Sequence, residues 1–390
     1  MIKLVKSSFH EEARTKAALA EFILNSDVLS MSEQCRRFEA GFAARQGRRF
    51  AVFVDNGSVA NLLLIQAMLN ADRFRPGGKI GFSALTWPTN VMPLIQLGLT
   101  PVPLDCELAT LNVSPRGLAP VLNDLSGLFL TNVLGFCDDL PRIRDDCAAA
   151  GVTLLEDNCE SLGSVVDGRL LGNFGLAATF SFFVGHHMST IEGGMVVTDD
   201  EELYEHLLIG RTHGWDRNLD ASAAARLRAG HGVDDFYARY TFYELASNFR
   251  PTEIAGFLGN TQLPYWDEIV TRRADNFARF AAALADNDEV HRLDVGHMDL
   301  VSNFAMPVVC RDPGLAGRYR ARFDGAGVEI RPVIAGNVTR QPFYRRHVSQ
   351  PAACPNADLV HENGFYFGNN PELTDDELTL LCAQLRKPHG

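Results

Sequence analysis

The chain has 390 residues, of which 46% are apolar and 22% charged. Those proportions belong to a folded globular protein of two or three domains and exclude disorder as its main state. A formal charge of −12 and a pI near 5.4 oppose the phosphate-neutralising charge of a nucleic-acid binder, and no apolar run reaches the roughly 18 residues that would suggest a membrane helix.

The first residues, MIKLVKSSFHEEARTK, turn charged before a signal-peptide core can form, which points to the cytoplasm. The cysteines (Cys35, Cys106, Cys137, Cys147, Cys159, Cys310, Cys354 and Cys382) are scattered, with no C-x-x-C. They supply neither a disulfide framework nor a zinc or iron–sulfur ligand set, so no metal is expected. Lysine occurs only at Lys3, Lys6, Lys16, Lys79 and Lys387. A mechanism that needs a lysine amine in the middle of the chain is thereby excluded.

In chain order, short β-rich runs predict strands at 51–55, 79–85, 101–105, 127–133, 152–156, 178–183 and 195–198. Helices are expected between them, at 58–69 and 140–150. This alternation predicts an α/β fold with a mostly parallel sheet and helices on both faces, and ligand-binding loops at the carboxyl ends of the strands. The Ala/Arg-rich and then aromatic stretch 216–247 breaks the rhythm and reads as a surface helix plus a covering or contact loop. A helix follows at 251–263 with Pro251 in its first turn, then a long one at 267–287 with Ile269, Phe277, Phe280 and Leu284 on one face. Strand, helix, strand and helix follow at 301–309, 313–326, 328–333 and near 374–385. The expected division is a large domain, 1–265, and a smaller α/β domain, 266–390, that includes the linking long helix.

Four strand-end segments carry chemistry. Asp55-Asn56-Gly57-Ser58 joins a strand to a helix whose N-terminus could take an anion, although Ser58 could equally be a plain N-cap. Glu156-Asp157-Asn158-Cys159-Glu160 places carboxylates at a strand end, fit for a metal, an acid/base pair or a protonated heterocycle. Ser181-Phe182-Phe183-Val184-Gly185-His186-His187 leads to Glu192-Gly193-Gly194; two adjacent histidines point in different directions and make poor joint metal ligands. Ser247-Asn248-Phe249-Arg250-Pro251-Thr252-Glu253 offers an arginine that could clamp a carboxylate or phosphate.

In this order the four segments resemble the DegT/StrS-type sugar aminotransferases, fold type I enzymes that use pyridoxal phosphate. The family pattern has Glu-Asp at a strand end, Ser-Phe with a lysine five residues after the serine, Gly-Glu-Gly-Gly, and Asn-x-Arg-x-x-Glu. Here position five holds His186. That departure, with Thr212-His213-Gly214-Trp215, Arg331-Pro332 and Ala335-Gly336-Asn337, resembles the lysine-less 3-dehydratase branch.

The resemblance implies a large domain with a mostly parallel mixed sheet, a smaller C-terminal domain, and an unattached pyridoxal/pyridoxamine phosphate. It implies Asp157 at the pyridine nitrogen, Glu160 near the ring hydroxyl, Trp87 stacked on the ring, and Gly57, Ser58 and Ser181 at the phosphate, with Asn248 reaching in from a neighbouring subunit of a homodimer. His213 and Arg250 would meet the substrate or the donor carboxylate. L-glutamate would supply the amine. His186 would remove a proton and return it to the departing 3-hydroxyl of a nucleotide-linked 4-keto-6-deoxy sugar, GDP-4-keto-6-deoxymannose favoured. Two other readings are a CDP- or TDP-sugar dehydratase with a reductase partner, and a catalytically silent cofactor- or sugar-binding homologue.

Overall fold

The computed structural model describes residues 1–349 and 352–387. Seven strands make the main sheet: β1 (Phe50–Val54), β2 (Lys79–Ser83), β3 (Thr100–Leu104), β4 (Gly127–Thr131), β5 (Thr153–Asp157), β6 (Ala177–Ser181) and β7 (Gly194–Thr198). They lie in the order β1-β7-β6-β5-β4-β2-β3. All run parallel except β7, which is antiparallel to β1 and β6. Every residue of β4 and β7 is buried, as a sheet covered on both faces requires.

The covering helices are α1 (Glu12–Asn25), α2 (Glu33–Gln46), α3 (Gly57–Asn70), α4 (Pro88–Gln96), α5 (Leu140–Ala150), α6 (Glu201–Arg211), α7 (Ala221–His231), α8 (Glu253–Gln262) and α9 (Trp266–Leu284). On one face Leu63, Leu64 and Ile65 of α3 pack with Val52, Val54 and Val196. On the other, Phe38 and Phe42 of α2 meet Phe53, Phe180 and Phe182 edge to face. Local chemistry starts and stops these helices. The Asn56 side chain accepts from Val59 N at 2.9 Å and caps α3, a contact that stabilises by about 1 kcal/mol. Asp139 caps α5, and Gly151 at φ 68° ends it.

Helix α9 buries Trp266, Ile269, Val270, Arg273, Phe277, Phe280 and Leu284 at helical spacing. It leads to a second sheet of β8 (Ala305–Val309), β9 (Ile330–Arg331) and β10 (Gly364–Gly368). Its order is β8-β10-β9, antiparallel throughout. Helices α10 (Pro313–Gly325), α11 (Pro355–Asn363) and α12 (Asp375–Leu385) follow the same part of the chain. Thr374 and Glu377 form a capping box at α12.

Two expectations are corrected and one strand is added. The helix expected at 251–263 is Glu253–Gln262, because the Thr252 hydroxyl accepts from Ala255 N and Pro251 falls before the cap. The strand expected at 328–333 shrinks to Ile330–Arg331, since Pro332 cannot donate to a ladder. The central strand of the small sheet, Gly364–Gly368, carries no signal that the alternation pattern captured.

Candidate active site

The carboxyl ends of β1, β5 and β6 converge on the start of α3. A Cβ on Gly57 would stand 2.6 Å from the Cβ of Ser181 and 2.9 Å from its Oγ. A Cβ on Gly194 would stand 2.3 Å from the carbonyl oxygen of Asn56. Only glycine permits this approach of helix start to strand end. The result is a cradle of free N–H groups at a helix N-terminus, suited to an anion. Asn56 provides the cap, so Ser58 is not the N-cap; it lies exposed on the first turn. Ser181 is half-buried, and its Oγ accepts from Phe183 N at 3.3 Å. Burial raises the carboxyls of Asp55 and Glu192 nearby.

Asp157 ends β5 and is 3% exposed. Its Oδ2 accepts from Asn61 of α3 at 2.9 Å and from Asn90 of α4 at 3.5 Å, and its Oδ1 from Cys159 N at 3.1 Å. Asn61 also accepts from the Thr179 hydroxyl at 2.6 Å, so one buried amide ties α3 to both β5 and β6. Glu160 accepts from Leu134 N at 3.0 Å. Burial, with repulsion from Asp157, pushes its carboxyl up to about 8 against the pull of that N–H. Burial and the Asp157 charge also hold the Cys159 thiol protonated.

The other acid of the Glu-Asp pair has a different task. Glu156 is fully buried and accepts from the N–H groups of Gly172, Phe174 and Gly175 and from the Asn132 amide, at 2.7–3.1 Å. It latches the loop before β6 and has no free oxygen for a metal or a proton relay. Glu253 is a latch too. It accepts from Ser32 N and Gln34 N at 2.7 Å and from Cys35 N at 3.1 Å, capping α2 from another helix. Ser32 itself makes no side-chain cap. Glu253→Ala should therefore lower stability by about 2–3 kcal/mol, the range for charged hydrogen bonds and stranded donors. Thermal unfolding checks this; an unchanged midpoint would contradict it.

His186 stands on the turn after β6, where its N–H donates to Phe183 O at 2.8 Å. Its ring lies 5.1 Å from Phe304 and 6.2 Å from Phe183. Burial first, and the Arg273 charge second, hold its imidazole down to about 3. Its neighbour His187 faces elsewhere, with Nε2 2.9 Å from Ser302 O. No hydrogen bond joins His186 to Asp157. Beyond Phe304 lies the Tyr366 ring, 6.1 Å away, on which the Glu160 charge acts.

Trp87 precedes α4 and is 55% exposed, so it is not a core tryptophan. The strip Asn248–Arg250 lies beside β1, since Asp55 N donates to Phe249 O at 3.3 Å. Asn248 and Arg250 are exposed, and the Asn248 Oδ1 accepts from Arg250 Nε at 2.9 Å. His213, at φ 58°, donates its N–H to Ser247 O and sits 4.9 Å from the Trp215 ring. His213, Asn248 and Arg250 thus share one strip, and none of them is hydrogen-bonded to His186. The sequence reading missed Asn61, Asn90, Phe304, Tyr366 and Arg273. Asn61 had a signal: a polar residue inside the otherwise apolar run VANLLLIQ.

Residues 10–386 match the DegT/DnrJ/EryC1/StrS aminotransferase family. The chain belongs to that family. GDP-4-keto-6-deoxy-D-mannose 3-dehydratase of Escherichia coli O55:H7 is 32% identical over 373 residues, which cover 93% of this chain and 95% of that one. Among solved structures, a histidine-to-asparagine variant of GDP-4-keto-6-deoxymannose-3-dehydratase with bound GDP-perosamine superposes with a TM-score of 0.90 at 30% identity. That match covers 99% of this chain and 100% of the other. The same dehydratase with a trapped PLP-glutamate geminal diamine gives 0.88 at 29% identity, over 99% and 100% of the two chains. The fold is that of the type I pyridoxal phosphate enzymes. Five residues after Ser181 the chain carries His186.

Proposed function

We propose that this chain is a pyridoxal phosphate-dependent 3-dehydratase. Its reaction removes the C3 hydroxyl of a nucleotide-linked 4-keto-6-deoxy sugar, GDP-4-keto-6-deoxymannose favoured, with L-glutamate as amino donor. The observation that carries the reading is His186 at the family's lysine position in a chain with no lysine between Lys79 and Lys387. The names of the dehydratases it resembles support the substrate class.

The residues fit the cofactor. The glycine-walled start of α3, with Ser58 and Ser181, would receive its phosphate. Asp157, buried and held by Asn61 and Asn90, would keep a ring nitrogen protonated. Glu160, its carboxyl neutral below about 8, can donate a hydrogen bond to a ring oxygen. The exposed Trp87 would cover a ring face. Bound, the cofactor supplies an electron sink and carries an amino group between glutamate and sugar.

His186 supplies the proton transfers. A neutral imidazole accepts a proton from carbon and, once charged, is a strong acid beside the departing hydroxyl oxygen. One residue thereby serves two half-steps without tethering the cofactor. His213 and Arg250 would meet the sugar nucleotide or the glutamate carboxylate, and Asn248 would reach the phosphate of a second subunit in a homodimer. The exposure of Trp87, Asn248 and Arg250 supports a shared site. The same reading takes 1–265 as the cofactor domain, 266–390 as the smaller one, and the cytoplasm as the location. Among the described residues no helix is long and apolar enough to cross a membrane.

Glutamate added to the protein loaded with pyridoxal phosphate should abolish the aldehyde absorption and release 2-oxoglutarate. Unchanged absorption would replace the enzyme by a silent binding homologue.

A further inference from the structure

Arg273 projects from α9 and is 2% exposed. Its Nη1 donates to the carbonyls of Asn369, Phe304 and Asn303 at 2.6, 3.0 and 3.4 Å. Asn369 returns a bond from its amide to Arg273 O at 3.0 Å. Arg273 Nε is buried without an acceptor. Among the described residues the guanidinium forms no ion pair. Glu372, which acts on it at a distance, is engaged by the Ser7 hydroxyl at 2.8 Å. A buried and unpaired cation is costly, and a neutral side chain could have filled the same space.

Its placement accounts for the cost. Residues 302–304 are held from two sides, by Arg273 on the Asn303 and Phe304 carbonyls and by His187 on the Ser302 carbonyl. Phe304, on that segment, lays its ring 5.1 Å from the His186 imidazole. Arg273, His186 and His187 also line one polar crevice with His10 and Glu372. The Nδ1 atoms of all three histidines and Arg273 Nε are buried without partners there.

We propose that Arg273 is a positioning residue for His186: from α9 it holds the Asn303 and Phe304 carbonyls, fixes the Phe304 ring against the imidazole, and places a buried positive charge in the crevice they share. The proposal rests on His186 being the proton-transfer group of the reaction above. The groups that face His186 are Arg273 from α9, His187 on its own turn, His10 from the N-terminal segment and Glu372 after β10. Tyr366 and Glu160 stand beyond Phe304. The sign follows from these. Burial and the Arg273 charge both disfavour the imidazolium, so the base form persists well below the ordinary histidine range. Removing the charge leaves the burial in place and raises the titration by the smaller of the two causes.

The test is histidine-selective NMR titration of the cofactor-free protein, with His186→Asn used to assign the resonance. In the parent, His186 should stay neutral at pH 5.5. In Arg273→Gln it should titrate measurably higher, and the acid limb of kcat/KM for the loaded enzyme should rise with it. Arg273→Lys keeps the charge on a shorter side chain and withdraws the donor from the three carbonyls that Nη1 now reaches. It should leave His186 neutral while slowing dehydration about tenfold through kcat rather than KM, as a displaced group would. A parent His186 that titrates near 6.5 overturns the proposal, and that result needs no variant to fold. So does an Arg273→Gln protein with an unmoved titration, or a lysine variant with full turnover. The NMR readout is independent of glutamate bleaching, so loss of the enzymatic reading would be recognised separately.

Discussion

His186→Asn should bind pyridoxal phosphate as the parent does and lose dehydration by roughly 10²–10⁴-fold, the range for removing a general acid–base group. The upper end is expected, because one imidazole both takes the proton and returns it. Asparagine fills similar space and cannot titrate. The ring it replaces has a buried Nδ1 without a partner and makes only ring contacts, 5.1 Å from Phe304 and 6.2 Å from Phe183. The melting temperature should therefore move little. Single-turnover kinetics with the sugar nucleotide, beside a cofactor titration, separates the two effects. Near-parental turnover would remove His186 from the mechanism.

Asp157→Asn should slow the glutamate half-reaction by roughly 10²–10³-fold, the size of a lost preorganised electrostatic contact. The carboxylate accepts three N–H donors, from Asn61, Asn90 and Cys159. An amide at that place turns its own NH2 toward one of them and cannot hold a full charge under a ring nitrogen. The donor–donor clash should also cost about 1–3 kcal/mol of stability. Stopped-flow absorbance and thermal unfolding read the two losses separately. A half-reaction at the parental rate would show that Asp157 does not touch the cofactor.

Local signals explain what the sequence disclosed. The alternation of short apolar runs with helical stretches located all seven strands of the main sheet, and Gly57 beside a strand end is where the helix start closes onto Ser181. The departure from the family's lysine at His186 was legible because a motif spacing counts residues along one turn. Direction and long-range partners were not visible. Glu156 read as one of the carboxylates a strand end could put to use and Glu253 only as the end of a motif, yet each is consumed by backbone N–H groups of another element. Asn90 and Arg273 act on residues 67 and 96 positions away, and no local pattern records such pairs. Pro251 looked like a helix start, but the Thr252 hydroxyl competed better for the first free N–H.

Mass analysis of the sugar recovered from GDP-4-keto-6-deoxymannose and glutamate is the most direct trial of an unattached cofactor served by a histidine. The expected product is lighter by one oxygen and keeps its C4 ketone, with ammonia and 2-oxoglutarate released in equal amounts. A sugar that gains an amine at C4 and retains its C3 hydroxyl would mean simple amine transfer and would contradict the role given to His186.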